Sequence, residues 1–403
     1  MGGILSQLPR PAIYRVLRDM LLDDLRRSRG SRFDGASLYR ETRIQLDSEG
    51  VGLDSLERFG LASRINDFFA LHRSGVEDNL LRARSLEDMV DVVRAGLDSY
   101  AGEIVFASGG TVAAPRLHRH SVATLEEEVA ELARLFAGRR RVIVTVPVHH
   151  IYGFLFGVLL PLELDVPVFQ ARWSLLGGDG RPGKDDLVLA VPFLWQQFAG
   201  VHHQWETGYW GVSSTAPMPD DLAGVIAAGP AASFIEVYGS SETAGIGWRD
   251  HCVETTPGFS LFPWWEAAPG NGTLRRRPQG DVVALPDTLE WIHQRRLLPR
   301  GRRDAVVQVG GHNVDLTLLR QRIIQGTGVE DCAVRINGQG RIVAFLVTPA
   351  DRQNPDAGPG ATEEAVVRAE GWLTESLADH ERPVEVRWGA QLPRNDLGKL
   401  APW

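Results

Sequence analysis

The sequence predicts a multidomain α/β protein: a helical N-terminal region over residues 1–100, an α/β core over 101–302 and a small α+β C-terminal domain over 303–403. Three observations lead there. The first hundred or so residues carry apolar side chains at helical spacing. From Glu103 onward, short apolar runs end in small, polar turns and alternate with helical stretches, the pattern of a sheet whose site lies at its strands' C-terminal edge. Beyond residue 303 the pattern changes to two strands, one helix and a Pro/Gly-rich loop at 354–360. No internal repeat is visible.

The elements follow in order. Residues 12–27 read as an amphipathic helix with Ile13, Val16, Leu17, Met20, Leu21 and Leu25 on one face. A second helix opens at Asp54-Ser55-Leu56, where Asp54 or Ser55 can cap it, and continues through Phe59, Leu61, Ile65 and Phe69. Ser85 and Asp88 make a capping box for a third. Residues 103–107 form a buried-type strand that runs into Ser108, Gly109, Gly110 and Thr111 and on to Arg116, with a helix over 121–136 behind it. Strand, Gly/Ser/Thr turn and helix together make a nest of N–H groups suited to phosphate. The Gly-Lys-Ser/Thr ending of a Walker loop is absent. Strands are expected at 141–147, 167–169, 186–192 and 211–217, and a helix at 220–228. The C-terminal segment is expected to contribute strands at 332–336 and 342–348 and a helix at 363–377.

Composition narrows the function. With 43% hydrophobic and 23% charged residues the chain is of ordinary globular type. Its net charge of −8 argues against a nucleic-acid footprint. The Arg139–Arg141 and Arg275–Arg277 clusters border strands or turns and read as solvated charges. Cys252 and Cys332 form no Cys-x-x-Cys pair, which fits a reduced, cytoplasmic setting without structural zinc. The longest apolar stretch, 151–164, is too short to span a bilayer, so no integral membrane segment is expected.

Chemistry is densest at residues 235–247. An apolar run leads into Tyr238-Gly239-Ser240-Ser241-Glu242-Thr243, followed by Ala244-Gly245-Ile246-Gly247. Hydroxyls and backbone amides suit phosphate oxygens, and a lone carboxylate such as Glu242 suits Mg²⁺. By itself this is a Ser-rich turn of common composition.

Two resemblances sharpen the reading. Over residues 10–98, the Gly-x-Asp-Ser-Leu stretch at Gly52–Leu56, the apolar spacing after it and the helix around Leu86-Glu87-Asp88-Met89-Val90-Asp91 resemble an acyl carrier protein. That resemblance implies phosphopantetheine on Ser55. The same residues are also simply a good helix start.

Over residues 103–403, five motifs in order resemble the adenylate-forming superfamily of acyl-CoA synthetases, luciferases and peptide-synthetase adenylation domains. They are Pro147-Val148-His149-His150-Ile151-Tyr152-Gly153, Ser213-Ser214-Thr215-Ala216-Pro217, Tyr238-Gly239-Ser240-Ser241-Glu242, Gly301-Arg302-Arg303-Asp304, and Leu392-Pro393-Arg394 through Gly398-Lys399. The phosphate loop departs from the family pattern, with Ala113 near an expected glycine and Arg116 in place of lysine, which keeps charge but not geometry. Asp287 follows Leu285-Pro286 where the family has Thr-Gly-Asp. The short layout is similar to the 4-hydroxybenzoate ligases of xanthomonadin and aryl-polyene pigment pathways.

The resemblance implies ATP-dependent adenylation of a small aryl acid and transfer to the phosphopantetheine thiol of an acyl carrier protein. It implies Lys399 as the catalytic cation and His150 at the acyl gate. ATP would meet Ser108, Gly109, Gly110, Thr111, Arg116, Thr215, Ala216, Pro217, Tyr238, Gly239, Ser240 and Ser241, with Asp287 and Arg302 at the ribose and Mg²⁺ on Glu242. The acid would lie among His150, Tyr152, Ser213, Gly245, Ile246, Gly247 and Trp248, and Arg303–Asp304 would be the hinge. Two alternatives stand beside it: a CoA ligase, and a non-catalytic scaffold on the same fold. Trp195, Trp205 and Trp210 read either as pocket wall or as packing.

Overall fold

The computed structural model describes every residue except 1–2, 30–34, 36, 40, 42, 109–115, 171–179, 255, 271, 303–305, 310–311, 348–362, 396–397 and 402. The chain divides into two compact units, Met1–Thr256 and Pro257–Trp403. These bounds differ from the expected breaks at 100 and 302. The reason is packing: Phe68, from the N-terminal helices, meets Phe106 and Phe154 edge-on at 5.3 and 5.5 Å, so helices and sheet share one core.

In the first unit, α1 (Arg10–Arg29) buries Ile13, Val16, Leu17, Met20, Leu21 and Leu25, the face its periodicity predicts. Asp54 caps α2 (Ser55–Phe69): its carboxylate accepts from Glu57 N–H, and Glu57 accepts from Asp54 N–H. Ser55 is thus the first helical residue rather than the cap, and it is exposed. Leu61, Ile65 and Phe69 face inward, but Phe59 is 62% exposed, because it lies roughly 200° around the helix from Leu61. The Ser85–Asp88 box heads α3 (Leu86–Ser99) as expected.

β1 (Glu103–Ser108) does not lead straight into a helix. It pairs antiparallel with β2 (Arg116–Ser121), and Ser121 caps α4 (Val122–Leu135) through Thr124 N–H at 3.2 Å. The expected strand–turn–helix order is therefore corrected: a second strand, paired with β1, stands directly before the helix, and residues 109–115 of the expected nest lie outside the described residues. The sheet beyond it uses β3 (Arg141–Val144), β4 (Val168–Gln170), β5 (Asp186–Ala190), β6 (Tyr209–Ser213), β7 (Ala231–Ser240) and β8 (Ala244–Asp250). Its order is β8-β7-β6-β5-β3-β4, parallel except for the β7–β8 hairpin.

Val142, Ile143 and Val144 are fully buried, as is all of β5, so both faces of these strands are covered and their sequence shows no alternation. After β3 comes α5 (Ile151–Phe154), a π-turn over Leu155–Leu159 and α6 (Leu160–Leu164). The apolar stretch is thus a buried core helix. Among the described residues no helix is long and apolar enough to cross a membrane. α7 (Pro192–Phe198) and α8 (Asp220–Ala227) complete the unit. Trp195 and Trp205 fill its core with Phe198, Tyr209 and Phe234, which is packing rather than pocket wall.

The second unit begins with short strands: β9 (Phe259–Leu261), β10 (Trp265–Ala267), β11 (Thr273–Arg276) and β12 (Val282–Ala284). β13 (Asp287–His293) pairs with β14 (Arg296–Arg302), which also pairs with β9, while β10, β11 and β12 make a separate sheet. The runs of three or four residues in β9 to β12 carry too little pattern to be read as strands from sequence. Then β15 (Val306–Val309) and β16 (His312–Asp315) form a hairpin ahead of α9 (Leu316–Thr327). β17 (Asp331–Ile336), β18 (Ile342–Val347) and β19 (Glu385–Gly389) form the last sheet, with α10 (Glu363–Ser376) packed over its core.

Both cysteines are free thiols. Burial pushes Cys332 up to about 12 and Cys252, beside Asp250, up to about 11. A thiol-reactive chromogen at pH 8 is therefore expected to label neither in the native protein while labelling both in guanidinium. Rapid native labelling of Cys332 would contradict the burial.

Candidate active site

Three turns close the C-terminal edge of the parallel strands, the edge at which open α/β sheets bind ligands. The first follows β3. His150 starts α5, its carbonyl accepting from Phe154 N–H at 2.8 Å. Gly153 is required here because a Cβ would stand 2.1 Å from the Pro147 carbonyl oxygen. Tyr152 does not offer its hydroxyl to a pocket: it donates to the carbonyls of Ala190 and Val212 at 3.1 and 2.9 Å, tying the turn to the ends of β5 and β6. Burial pushes that phenol well above its ordinary range.

The second turn follows β6. Ser213 is fully buried, while Ala216 and Pro217 are exposed. Ser214 donates to Val237 O at 2.8 Å, and Met218 N–H donates to Glu236 at 3.0 Å, so both ends of the turn are pinned to β7. Between them Thr215 takes φ +79°, and its buried hydroxyl has no hydrogen-bond partner among the described residues. A buried, unpartnered hydroxyl in a strained turn marks a place for a polar ligand. Glu236 is held from its other side by Arg249 and His251 at 2.7 and 2.9 Å. Burial alone would raise its carboxyl, but these partners and the Met218 N–H hold it below the usual range.

The third turn is the β7–β8 hairpin. Ser240 and Thr243 hydroxyls bond each other at 2.9 Å and close it. Glu242 projects at the tip with its side chain 47% exposed. Gly239 faces Gly245, and a Cβ on Gly239 would lie 2.3 Å from Ala244 O, so the two strands approach here only without a side chain. The β1–β2 hairpin braces the tip: His120 Nε2 lies 2.8 Å from Ser241 O, and His118 Nε2 lies 3.9 Å from Glu242 Oε1. Buried Glu128 of α4 accepts from Gly245 N–H at 2.9 Å. Gly245, Ile246 and Gly247 are buried within β8, and Trp248 is half-buried opposite Val237. Ser108 ends β1 opposite exposed Arg116, while Gly109, Gly110 and Thr111 lie outside the described residues, as does the expected hinge at Arg303–Asp304.

In the second unit, Asp287 and Arg302, the two residues expected at a ribose, are backbone partners in the β13–β14 register. Exposed Lys399 follows Gly398, whose φ of +70° turns the chain. Lys399 N–H donates to the Asn395 side chain at 3.0 Å, and its carbonyl accepts from Asn395 N–H at 2.8 Å. Arg394 donates to Gly398 O at 2.7 Å. The loop is thus held by its own residues, and Trp403 adds an anchor, with the Arg335 guanidinium 3.9 Å above its ring.

The chain is 36% identical over 397 residues to a protein from Halorhodospira halophila named 4-coumarate–CoA ligase, covering 96% of this chain and 98% of the relative. It belongs to the adenylate-forming, acyl-CoA ligase-like superfamily. A Rhodobacter capsulatus protein of the same name is 33% identical over 97% of this chain and all of its own length. Among solved structures, an ATP-bound RpMatB–BxBclM chimera shares the fold at TM-score 0.59 and 15% identity, with 96% of this chain and 91% of the chimera covered. No protein-family model matches the chain.

This adenylate-forming chain is an acid–thiol ligase of the AMP-forming class. Its relatives span nearly the whole chain, so the helical region before Glu103 is part of what they share. Sequence reasoning missed the residues that brace the ligase's turns: Glu236, Glu128, His118 and His120. The two histidines and Glu128 act across long separations, 117 residues for Glu128–Gly245 and 121 for His120–Ser241, where no local spacing carries a signal, and Glu236 reaches Met218 across 18 residues, between neighbouring strands.

Proposed function

We propose that this ligase joins a small phenolic aryl acid to coenzyme A through an acyl-adenylate. The observation that carries the reading is the convergence of the His150, Thr215 and Glu242 turns on one sheet edge, in a chain related throughout to proteins named 4-coumarate–CoA ligase. In the first half-reaction an acid oxygen attacks the α-phosphorus of ATP, and the bond to pyrophosphate breaks. Both partners are anionic, so positive charge and alignment are what the protein must supply.

Lys399 would bridge the acid and the α-phosphate. Ser108, Gly109, Gly110, Thr111 and Arg116 would hold the outer phosphates, with Ser240 and Ser241 nearby. Thr215, Ala216, Pro217, Tyr238 and Gly239 would hold adenine, and Asp287 and Arg302 the ribose. Glu242 fits Mg²⁺ because that ion keeps waters and substrate phosphates and needs only one or two carboxylates; bound there, it neutralises the leaving phosphates. The acid would lie against His150, Gly245, Ile246, Gly247 and Trp248. Tyr152 and Ser213, both buried, would set the pocket's shape rather than bond the acid. In the second half-reaction a thiol sulfur attacks the acyl carbon and AMP leaves.

A second reading delivers 4-hydroxybenzoate to a carrier-protein phosphopantetheine. It is favoured by exposed Ser55 heading α2 beside Leu56 and Phe59, which are 82% and 62% exposed. ATP–pyrophosphate exchange with 4-coumarate, cinnamate, 4-hydroxybenzoate and acetate identifies the acid, and mass analysis of products with CoA or a phosphopantetheinylated carrier identifies the acceptor. Exchange driven by 4-coumarate and a CoA thioester product are expected. No exchange with any acid would return the chain to the scaffold reading, and a carrier thioester without CoA product would establish the second.

A further inference from the structure

Helix α1 presents two carboxylates toward the acyl-site turn, and the mechanism above uses neither. Asp19 and Asp23 are four apart and so share one face of the helix. Asp19 is 3% exposed. Its Oδ2 accepts from Val148 N–H at 2.9 Å, across 129 residues of chain. Both its oxygens accept from the Gln170 amide at the end of β4, at 3.0 and 2.8 Å, and Arg18 donates to the Gln170 carbonyl.

One turn further, Asp23 Oδ2 lies 3.5 Å from Nε2 of buried His149. Arg64 of α2 reaches the same oxygen at 3.1 Å, and Arg27 pairs with it as well. Neither ring nitrogen of His149 has a hydrogen-bond partner among the described residues, so Asp23 meets Nε2 as an ion pair, and the His149 and His150 rings stand 4.2 Å apart. Burial would raise the Asp23 carboxyl, yet His149, Arg64 and Arg27 hold it below the usual range. A core helix has no packing need for a buried acid at Asp19 and a half-buried one at Asp23, since withdrawing a carboxylate from water is costly unless it is paired. What they do is hold a backbone N–H and an imidazole of Val148-His149, immediately before His150.

The geometry points to Asp19 and Asp23 as positioning residues that hold the Val148–His150 turn, so that α1 governs the fit of the aryl acid and not of ATP. This rests on the acyl-site role proposed for His150. Steady-state kinetics separate the two claims. Asp23→Asn is expected to raise KM for the acid about tenfold with KM for ATP unchanged, and Asp23→Glu to recover most of that loss. Asp19→Asn is expected to act in the same direction and more strongly.

Thermal melting reports whether each variant is folded. If Asp19→Asn fails to fold, Asp23→Asn carries the test, because its side chain is 31% exposed and tolerates the change more readily. Unchanged acid KM in a folded Asp23→Asn, with His150→Ala raising it, would overturn the positioning role. Equal losses in acid KM, ATP KM and kcat would do the same, by showing a merely structural effect. If His150→Ala leaves the acid KM unchanged, the acyl-site assignment falls and this inference falls with it.

Discussion

Lys399→Ala is expected to lower acid-dependent ATP–pyrophosphate exchange by about 10² to 10³-fold, which is the loss seen when one preorganised transition-state contact is removed and corresponds to about 3–4 kcal/mol. The reasoning is electrostatic. A carboxylate approaching the triphosphate of ATP meets like charge, and an ammonium placed between them offsets it only while they react. Thioester formation from supplied acyl-adenylate is expected to fall much less, because no second anion attacks in that step. The loop's hydrogen bonds run through Asn395, Gly398 and Arg394, and a melting temperature measured beside the kinetics separates lost chemistry from lost fold. Measuring both half-reactions decides the matter; equal losses in the two would assign Lys399 to general binding.

Glu242→Gln is expected to reduce exchange about 10²-fold at saturating ATP, at about 1.4 kcal/mol per tenfold, and to raise the Mg²⁺ concentration needed for half-maximal rate. The carboxylate stands at an exposed hairpin tip whose closure depends on Ser240 and Thr243, so its loss should leave the fold intact. A titration of exchange rate against Mg²⁺ reads the effect directly. An unchanged Mg²⁺ midpoint would remove Glu242 from the metal site.

Much of this was legible because the responsible physics is local. The Asp54–Glu57 and Ser85–Asp88 boxes join residues three apart, and a helix start must satisfy its free N–H groups. The motif glycines stand out for a similar reason: Gly153 and Gly239 are needed where a Cβ would collide with backbone. The α1 face was legible from helical spacing alone, whereas Phe59, equally apolar, points to solvent. Its hydrophobicity was a true signal of type but not of direction. β2 was missed because its residues, mostly polar or exposed, look like a loop until β1 pairs with them.

The sequence by itself determined the superfamily, the strand-end turns and the hairpin residues Tyr238 to Glu242 with which any ligand must contend, since short-range sterics, capping and turn chemistry are written in adjacent residues. Only the tertiary structure decided that α1 belongs to the sheet's unit, that Tyr152 spends its hydroxyl on the sheet, and that Asp19, Asp23, Glu128 and Glu236 support the turns. Those are contacts between different elements, several of them joining residues more than a hundred positions apart. A buried carboxylate finds its partner through packing, and nothing in local spacing records where that partner will be.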